Sequence, residues 1–426
     1  MFRILSIAAL MGAALGALSL GAAPAKAQPA PSAGRLLAGG LLNPRGIVVG
    51  PDGMLYVAEA GEGGDQTIVV EGQTFNIGHT GRISKIDPST GERTTVAEGL
   101  PSNSHPQFGT TGPADVAFLG GQLYYVQTHG GAAWGFPDEP TGLYKVNADG
   151  SVTLVADIGA FNVANPVSDL TEGRQLDIEP GGNPYRMTVR GGAFYVVDGN
   201  QNQIMRITPD GAITRLTEFP GHPVSTGITY DPSGGPFYVA MLGREPFLPE
   251  HGKVVSVGAT TGDVHDVASG YSALTDVGIG PGGQLYALQF AEQSKSPGPP
   301  LAPFTGKILR VSGGTMTPVV AGFTFATAMT FSGAKVYVVN HGLSVVAPGE
   351  VWVIDDIRAV PPVPTPAPSP VASPQPTATP SGPVLPPATG DGGGLAGSGL
   401  PVWALAALWV TVAGALIGAR YALWRR

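Results

Sequence analysis

The sequence predicts an all-β fold, a six-bladed β-propeller with four antiparallel strands in each blade. Three observations support this fold class: one strand pattern recurs six times, turn residues are abundant, and a strand that the last repeat lacks is found near the N-terminus. Of the 426 residues, 64 are glycine and 41 are proline, which is close to twice the usual share of each. Such a composition favours short strands joined by tight turns.

The repeated strand is a short apolar run with tyrosine as its second residue, a pattern typical of a buried strand. An apolar run and a tight turn precede each copy, and a third strand and a fourth strand follow it. Tandem units of four antiparallel strands predict a ring of blades. The six copies lie at residues 55–59, 123–127, 194–198, 237–241, 285–289 and 336–340.

The sixth repeat ends early, because Pro361 follows its third strand before a convincing fourth strand. Residues 35–38, at the other end of the propeller, resemble a fourth strand such as residues 94–97. We therefore expect the N-terminal segment to complete the sixth blade and to remove an open sheet edge. A β-helix or a β-sandwich also uses many short strands, but neither predicts a leftover strand at this end.

The sequence before the propeller is predicted to be a signal peptide, residues 1–27. Arg3 supplies the positive charge, an uncharged and mostly apolar stretch follows, and Ala25-Lys26-Ala27 matches a cleavage site. The propeller is then expected to occupy residues 28–359. Since exported proteins meet an oxidising environment and this chain has no cysteine, core packing alone must stabilise the domain.

The sequence after the propeller is predicted to be a disordered spacer, residues 360–399, with 12 prolines and no charged side chain between 361 and 390. Residues 400–419 are uncharged and largely apolar, which is long enough for a membrane-spanning helix. The basic tail at 420–426 is expected to stay in the cytoplasm, which leaves the propeller outside the cell. Residues 386–390 resemble a sortase signal, L-P-x-T-G, with proline in place of leucine. We therefore favour a simple membrane anchor over attachment to the cell wall.

Composition excludes several functional classes. Without cysteine the protein is neither a disulfide scaffold nor a cysteine-ligated metalloprotein. A net charge of -8 disfavours nucleic acid as a partner. A hydrophobic fraction of 43% argues against a fully disordered chain.

Several short motifs resemble the ScyD/ScyE family of proteins, and the resemblance covers roughly residues 34–356. It implies a six-bladed propeller, and the family is named for proteins encoded with genes for scytonemin, a cyanobacterial sunscreen pigment. More distantly, the blades are similar to NHL and gluconolactonase-like propellers. The motifs are Asn43 to Gly46, Gly50 to Gly53, Tyr56 to Gly61, Asn183-Pro184-Tyr185 and Tyr195 to Asn200.

The connections after strands two and four of each blade are much longer than those after strands one and three. Alternate connections lie on opposite faces of a propeller, so the long connections share one face, which we call the loop face. Long loops on one face of a rigid scaffold favour a binding role. His129 and His341 fall on this face, and since neither forms a metal-binding spacing we expect them to be solvated.

Polar residues end five of the six tyrosine strands, and charged residues begin several first strands near the predicted channel. Arginines among carboxylates and amides suit a small polar ligand, and the carboxylates suit Ca²⁺. The alternative is that the polar side chains only cap strands and bind neighbouring backbone groups. The predicted ligand-binding residues are Glu59, Gln127, Asp198, Gln289, Asn340, Arg45 and Arg186; the predicted metal ligands are Glu59, Asp115, Asp198 and Asp276.

The leading functional hypothesis is an exported, membrane-tethered propeller that binds a small molecule, a glycan or a protein of the cell envelope. The alternative is a calcium-assisted hydrolase or lactonase of the gluconolactonase-like kind. A role in assembling an aromatic pigment is a third hypothesis, implied by the ScyD/ScyE resemblance alone.

Overall fold

The computed structural model describes residues 30–106, 109–168, 179, 181–243, 248, 251–293, 301–343 and 347–361. The predicted signal peptide, membrane helix and tail, and all but the first residues of the spacer, lie outside these ranges and stay predictions. Within the described ranges, no helix combines the length and the hydropathy needed to cross a bilayer.

Strand β1 (Arg35–Leu41) comes first in the chain and belongs to the last blade. Each of the other blades is built from consecutive strands, and blade 1 carries two extra short strands at its loop-face end. The strands of blade 1 are β2 (Pro44–Val49), β3 (Leu55–Glu59), β4 (Gln66–Val70), β5 (Gln73–Ile86), β6 (Arg93–His105) and β7 (Gly109–Thr111). Blade 2 contains β8 (Pro113–Leu119), β9 (Gln122–Gln127), β10 (Gly142–Val146) and β11 (Val152–Asp157).

The remaining blades follow the same order, with the first strand innermost. Blade 3 contains β12 (Pro184–Arg190), β13 (Ala193–Asp198), β14 (Gln203–Ile207) and β15 (Ile213–Glu218); blade 4 contains β16 (Ser225–Tyr230), β17 (Phe237–Met241), β18 (Lys253–Val257) and β19 (Val264–Ser269). Blade 5 contains β20 (Leu274–Ile279), β21 (Leu285–Gln289), β24 (Gly306–Ser312) and β25 (Thr315–Phe323), with the small hairpin β22 (Glu292–Gln293) and β23 (Leu301–Ala302) on its loop face. Blade 6 contains β26 (Ala328–Ser332), β27 (Lys335–Asn340), β28 (Gly349–Ile354) and β1.

The first strands of the six blades contact one another in a closed circle, β2, β8, β12, β16, β20, β26 and back to β2. Strand β1 closes the last blade from the outside by pairing antiparallel with β28, so that Arg35 lies opposite Val353 and Leu41 opposite Gly349. The prediction that the N-terminal segment completes the sixth blade is confirmed. The four-stranded antiparallel blades are confirmed as well.

The repeated tyrosine packs between blades. The ring of Tyr56 meets Phe118 of blade 2 edge-on, with centroids 4.9 Å apart, and Tyr195 lies 4.4 Å from Phe237 of blade 4. The phenol of Tyr56 still reaches a partner, since it donates to Asp52 at 3.0 Å. A tyrosine at this position therefore buries an aromatic body between sheets while its hydroxyl stays near the surface.

Two of the long loop-face connections contain regular elements among their described residues. Residues 61–80 form the hairpin of β4 and β5, because Glu71 and Gly72 both have positive φ, 52° and 81°, as a two-residue hairpin turn requires. Residues 159–182 begin with helix α1 (Ile158–Ala164), whose N-terminus is capped by Asp157 accepting from the Ala160 amide at 2.7 Å. Residues 132–134 form a short 3-10 helix.

Candidate functional site

Each first strand starts at the loop face, and in blades 1 to 5 the strand pairing shifts register just after its start. The extra residue that this bulge creates is threonine in blade 4 and blade 5, and threonine also occupies the corresponding place in blade 6. These hydroxyls lock neighbouring blades together: Thr226 donates to the Leu274 carbonyl at 2.9 Å, Thr275 to Ala326 at 2.9 Å and Thr327 to Pro44 at 3.0 Å. Blades 1 and 3 have Arg45 and Tyr185 at this place, so these blades lack the threonine hydroxyl that bonds to the next blade.

Arg45 and Tyr185 lie together at the loop-face end of the channel. The guanidinium carbon of Arg45 is 5.9 Å from the centre of the Tyr185 ring. Both residues are more than nine-tenths buried, with 8% and 6% exposed. Among the described residues, neither Nη1 of Arg45 nor the hydroxyl of Tyr185 has a hydrogen-bond partner. Unpaired buried donors of this kind cost free energy unless a further group accepts from them.

Burial dominates the electrostatics of this pair. It lowers the pKa of Arg45 below its usual value, and the nearby Tyr185 and Glu179 oppose that shift. Burial likewise raises the pKa of Tyr185, so the phenol keeps its proton at neutral pH. The site therefore offers one cationic donor and one neutral donor.

Glu179 belongs to a buried network on the same face. Its carboxylate lies 2.8 Å from Nε2 of His129, and Nδ1 of His129 lies 2.8 Å from the Thr111 hydroxyl. Thr111 in turn donates to Asn103 at 2.6 Å. Trp134 stacks on the imidazole, with centroids 3.9 Å apart and planes 5° from parallel. The expectation that His129 and His341 are solvated is wrong, because the two side chains are 1% and 4% exposed.

An apolar cluster is formed by the loop-face connections of blades 4 to 6. Three of its members, Val224, Ala273 and Phe325, adopt positive φ of 59°, 55° and 52° just before the first strands, a strained conformation that is rare for a β-branched residue such as valine. The cluster reaches blade 1, because Gly342 lies against the Pro44 carbonyl and Leu343 follows it. Its members are Val224, Leu242, Ala273, Phe290, Ala291, Leu301, Phe325 and Leu343.

One residue further along the first strands, three charged side chains meet across the channel. Arg186 of blade 3 donates through Nη1 to Asp115 of blade 2 and through Nη2 to Asp276 of blade 5, each at 2.9 Å. Each carboxylate also accepts a hydrogen bond from a backbone amide: Met187 donates to Asp115 and Met329 donates to Asp276, both at 2.8 Å. We call Asp115, Arg186 and Asp276 the ion triad.

The ion triad is buried, with none of its members more than 7% exposed. Desolvation raises the pKa of Asp115 to about 6, against the opposing field of Arg186. It raises the pKa of Asp276 in the same direction. The corresponding residues of blades 1 and 4 are glycines, and a Cβ on Gly46 would lie 2.2 Å from Oδ1 of Asp115. The small residues therefore make room for the charged ones.

The polar residues that end the tyrosine strands do not converge on the channel. They bind nearby backbone groups instead: Gln127 donates to the Pro101 carbonyl of β6 in blade 1 at 3.1 Å, and Gln289 donates to the carbonyl of Ser272, just before the first strand of its own blade, at 3.1 Å. Asn340 accepts from the Thr324 amide at 2.7 Å. This geometry is that of the capping alternative.

Glu59 and Asp198, the two carboxylates of this set, are surrounded by donors. Glu59 accepts from the Leu42 amide at 2.6 Å and from Arg82 at 2.8 Å, and it also binds the Ser84 hydroxyl. Asp198 accepts from three backbone amides, those of residues 183, 200 and 201, and from the Asn162 side chain. Burial raises the pKa of Asp198, and these hydrogen bonds oppose the shift.

The structure thus places the predicted site residues in three groups. The ion triad joins Asp115, Asp276 and Arg186; Arg45 lies with Tyr185; and the strand-end residues bind backbone and side-chain groups beside the ends of their strands. The four carboxylates predicted to bind calcium are therefore not one ligand set, and among the described residues no three His, Asp or Glu side chains form a group suited to a metal ion.

Tyr185, Glu179 and His129 were missing from the predicted site. The signal for Tyr185 is in the sequence, since an alignment of the six repeats puts it and Arg45 where blades 4 to 6 have threonine and blade 2 has Ala114. Both also lie in motifs that carry the ScyD/ScyE resemblance. Glu179 has no such signal, because it comes from a connection without a counterpart in the other blades.

No protein-family model matches the chain, and no curated protein matches it. The structure is similar to a PQQ-bound aldose sugar dehydrogenase from Streptomyces coelicolor, with 15% identity, coverage of 77% of this chain and 99% of that one, and a TM-score of 0.47. It is similar to a gluconolactonase from Xanthomonas campestris, with 13% identity, coverage of 77% and 98%, and a TM-score of 0.42. A virginiamycin B lyase from Staphylococcus aureus gives 12% identity, coverage of 76% and 98%, and a TM-score of 0.41. At these identities and TM-scores, none of them assigns an activity or a ligand to this chain.

Proposed function

We propose that the protein binds a small molecule that carries a carboxylate on an apolar body, and that it does so on the loop face without chemistry. The observation that carries the proposal is the pair of buried donors, Nη1 of Arg45 and the hydroxyl of Tyr185, that have no partner among the described residues. A carboxylate can accept from both, and guanidinium–carboxylate hydrogen bonds are among the stronger ones in proteins.

The surroundings of Arg45 favour an amphipathic ligand. On one side are polar groups of blades 1 to 3, including Glu179; on the other is the apolar cluster of blades 4 to 6. A few polar groups converging beside an apolar wall are typical of small-molecule sites. The carboxylate would face Arg45 and Tyr185, and the body would pack against the cluster.

The proposal includes export and tethering of the protein by the predicted helix at residues 400–419, which the basic tail supports. Deleting residues 400–426 should release the protein into the medium. Retention of the truncated protein on cells would contradict tethering by this segment and leave the binding proposal unaffected.

Benzoate is a suitable first probe, with benzamide as its neutral isostere. Saturation-transfer NMR on the full-length protein should show benzoate binding that weakens about tenfold or more when Arg45 is changed to glutamine, the loss of one charge-assisted pair. Tyr185→Phe should weaken binding less, because it removes one neutral hydrogen bond. Arg358→Gln is the matched control, since this arginine is 63% exposed on the surface.

Equal benzoate binding by wild type and Arg45→Gln would overturn the proposal, as would equal binding of benzamide. Hydrolysis of an aldonolactone, measured on the same samples, tests the gluconolactonase-like alternative. Turnover by the wild type that Asp198→Asn abolishes would replace the binding proposal with an enzymatic one.

A further inference from the structure

The buried pair of His129 and Glu179 lies beside the proposed carboxylate site. The two residues are 1% and 5% exposed, and Nε2 of His129 is 2.8 Å from a carboxylate oxygen of Glu179. The Glu179 carbonyl accepts from the Gly182 amide at 2.8 Å, in the turn that leads to Tyr185 at the start of β12. The charge of Glu179 also acts on Arg45, whose pKa it raises against the effect of burial.

The hydrogen bonds around His129 show that its Nδ1 carries a proton. The Asn103 side chain donates through Nδ2 to the His129 carbonyl at 3.0 Å, so Oδ1 is the atom that faces Thr111. The Thr111 hydroxyl has a single proton, which it donates to this Oδ1 at 2.6 Å. Thr111 must therefore accept from Nδ1 of His129, which lies 2.8 Å away.

A second proton lies between His129 and Glu179. Because Nδ1 already has its own proton, the 2.8 Å contact between Nε2 and the carboxylate needs a further hydrogen. An imidazole is a stronger base than a carboxylate, so this hydrogen resides on Nε2 and the pair is an imidazolium with a carboxylate. Trp134 is stacked on the imidazolium with centroids 3.9 Å apart, an arrangement that suits a cationic ring. The charge of Glu179 is thus balanced within the pair.

We propose that His129 is a positioning residue of the carboxylate site, because it holds the Glu179 carboxylate on its imidazolium and so keeps it from pairing with Arg45. The inference rests on the proposed function, since it explains how Nη1 of Arg45 stays available to a ligand with a buried carboxylate nearby. A buried carboxylate that loses its cation is costly. Without the imidazolium, Glu179 would therefore turn to the guanidinium and take the place of the ligand.

The backbone of His129 permits a substitution that removes the imidazolium alone. Its φ of 53° lies in the left-handed region, which asparagine adopts more readily than most residues. In His129→Asn the side-chain amide can occupy the place of Nδ1 beside Thr111, but no atom remains at the place of Nε2. Glu179→Gln is the companion change, since it keeps the size of the side chain and removes its charge.

Benzoate titrations of the full-length protein test the inference. His129→Asn should weaken benzoate binding about tenfold or more, because Glu179 then competes for Arg45. The double variant His129→Asn/Glu179→Gln should regain most of the wild-type affinity, since no carboxylate is left to compete. His79→Asn is the matched control, because this histidine also lies 2.8 Å from a glutamate, Glu139, but is exposed on the surface.

The rescue separates positioning from a merely structural role. If His129 served only to build the loops, the double variant would bind as weakly as His129→Asn, and the proposal would be overturned. Unchanged benzoate binding by His129→Asn would overturn it as well.

Two measurements without ligand decide the inference even if benzoate does not bind, an outcome that would contradict the proposed function alone. Nitrogen NMR of the wild type should show both imidazole nitrogens of His129 protonated while Glu179 is its partner. A crystal structure of His129→Asn should show the Glu179 carboxylate within hydrogen-bond distance of the Arg45 guanidinium. A neutral imidazole in the wild type, or a carboxylate that stays away from Arg45 in the variant, would overturn the proposal.

Discussion

Replacing Asp115 by asparagine should leave the stability of the protein close to that of wild type at acid pH and raise it above that of wild type at neutral pH. In the folded protein burial raises the pKa of Asp115 to about 6, from its ordinary value of 3.8. The folded state therefore holds a proton that the unfolded state has released between these two pH values. Its unfolding free energy falls as the pH rises through this window, because the fully buried carboxylate has to ionise.

The size of the effect follows from the shift. About two pKa units at roughly 1.4 kcal/mol each amount to about 3 kcal/mol. Asparagine has the shape of the protonated acid and does not titrate, so the two proteins should be similar at about pH 4. By about pH 7.5 the variant should have gained about 3 kcal/mol relative to wild type. Arg186 would still keep Asp276 as its partner.

The assay is chemical denaturation of the full-length wild type and Asp115→Asn at matched pH values, with Asp266→Asn as the exposed control. The opposite pH dependence of the stability difference would indicate the opposite cause. If the attraction of Arg186 outweighed desolvation, the pKa of Asp115 would be depressed, and wild type would gain stability over the variant as the pH rose. A gain by wild type, or a constant difference between the two proteins, would refute the reasoning.

Three further predictions concern the ring itself. Arg186→Met should lower the unfolding free energy by about 3–5 kcal/mol at neutral pH, since it leaves two buried carboxylates uncompensated; denaturation curves that change by less than about 1 kcal/mol would contradict this. Gly46→Ala should lower the melting temperature because its Cβ would overlap Asp115, whereas Gly39→Ala, whose Cβ would meet nothing within 4 Å and whose φ is not positive, controls for the loss of glycine; equal melting shifts would count against the overlap. Deleting residues 35–41 should expose the edge of β28 and cause aggregation visible by light scattering, and a monomeric, fully stable product would rule out a closing role for β1.

The blade pattern could be predicted because it is local. A tyrosine in an apolar run, a tight turn and a third strand all lie within one repeat, so periodicity and turn chemistry reveal them. Closure by β1 could also be predicted, since a fourth strand was missing at one end and spare at the other. The hairpin of β4 and β5 could not be predicted in this way, because a two-residue turn at Glu71-Gly72 is a weak sequence signal for a hairpin.

The site was harder to predict, because it depends on how strands from different blades meet. The sequence placed Asp115, Arg186 and Asp276 near the channel, but only the ring geometry shows that one arginine bridges blades 2 and 5. The strand-end residues had the right composition for a ligand site, yet Gln127 and Asn340 bond to backbone groups of Pro101 and Thr324. Pairing of Tyr185 with Arg45 depends on a bulge, and no residue type marks a bulge in advance.

The central claim is that Nη1 of Arg45, a buried donor without a hydrogen-bond partner among the described residues, binds a carboxylate on the loop face. A crystal structure of the full-length protein soaked with benzoate tests it most directly. The account predicts a carboxylate oxygen within hydrogen-bond distance of Nη1 of Arg45, a second contact with the Tyr185 hydroxyl, and the ring against Phe325 and Leu343. Benzoate bound elsewhere, or Arg45 paired with a carboxylate of the protein itself, would contradict it.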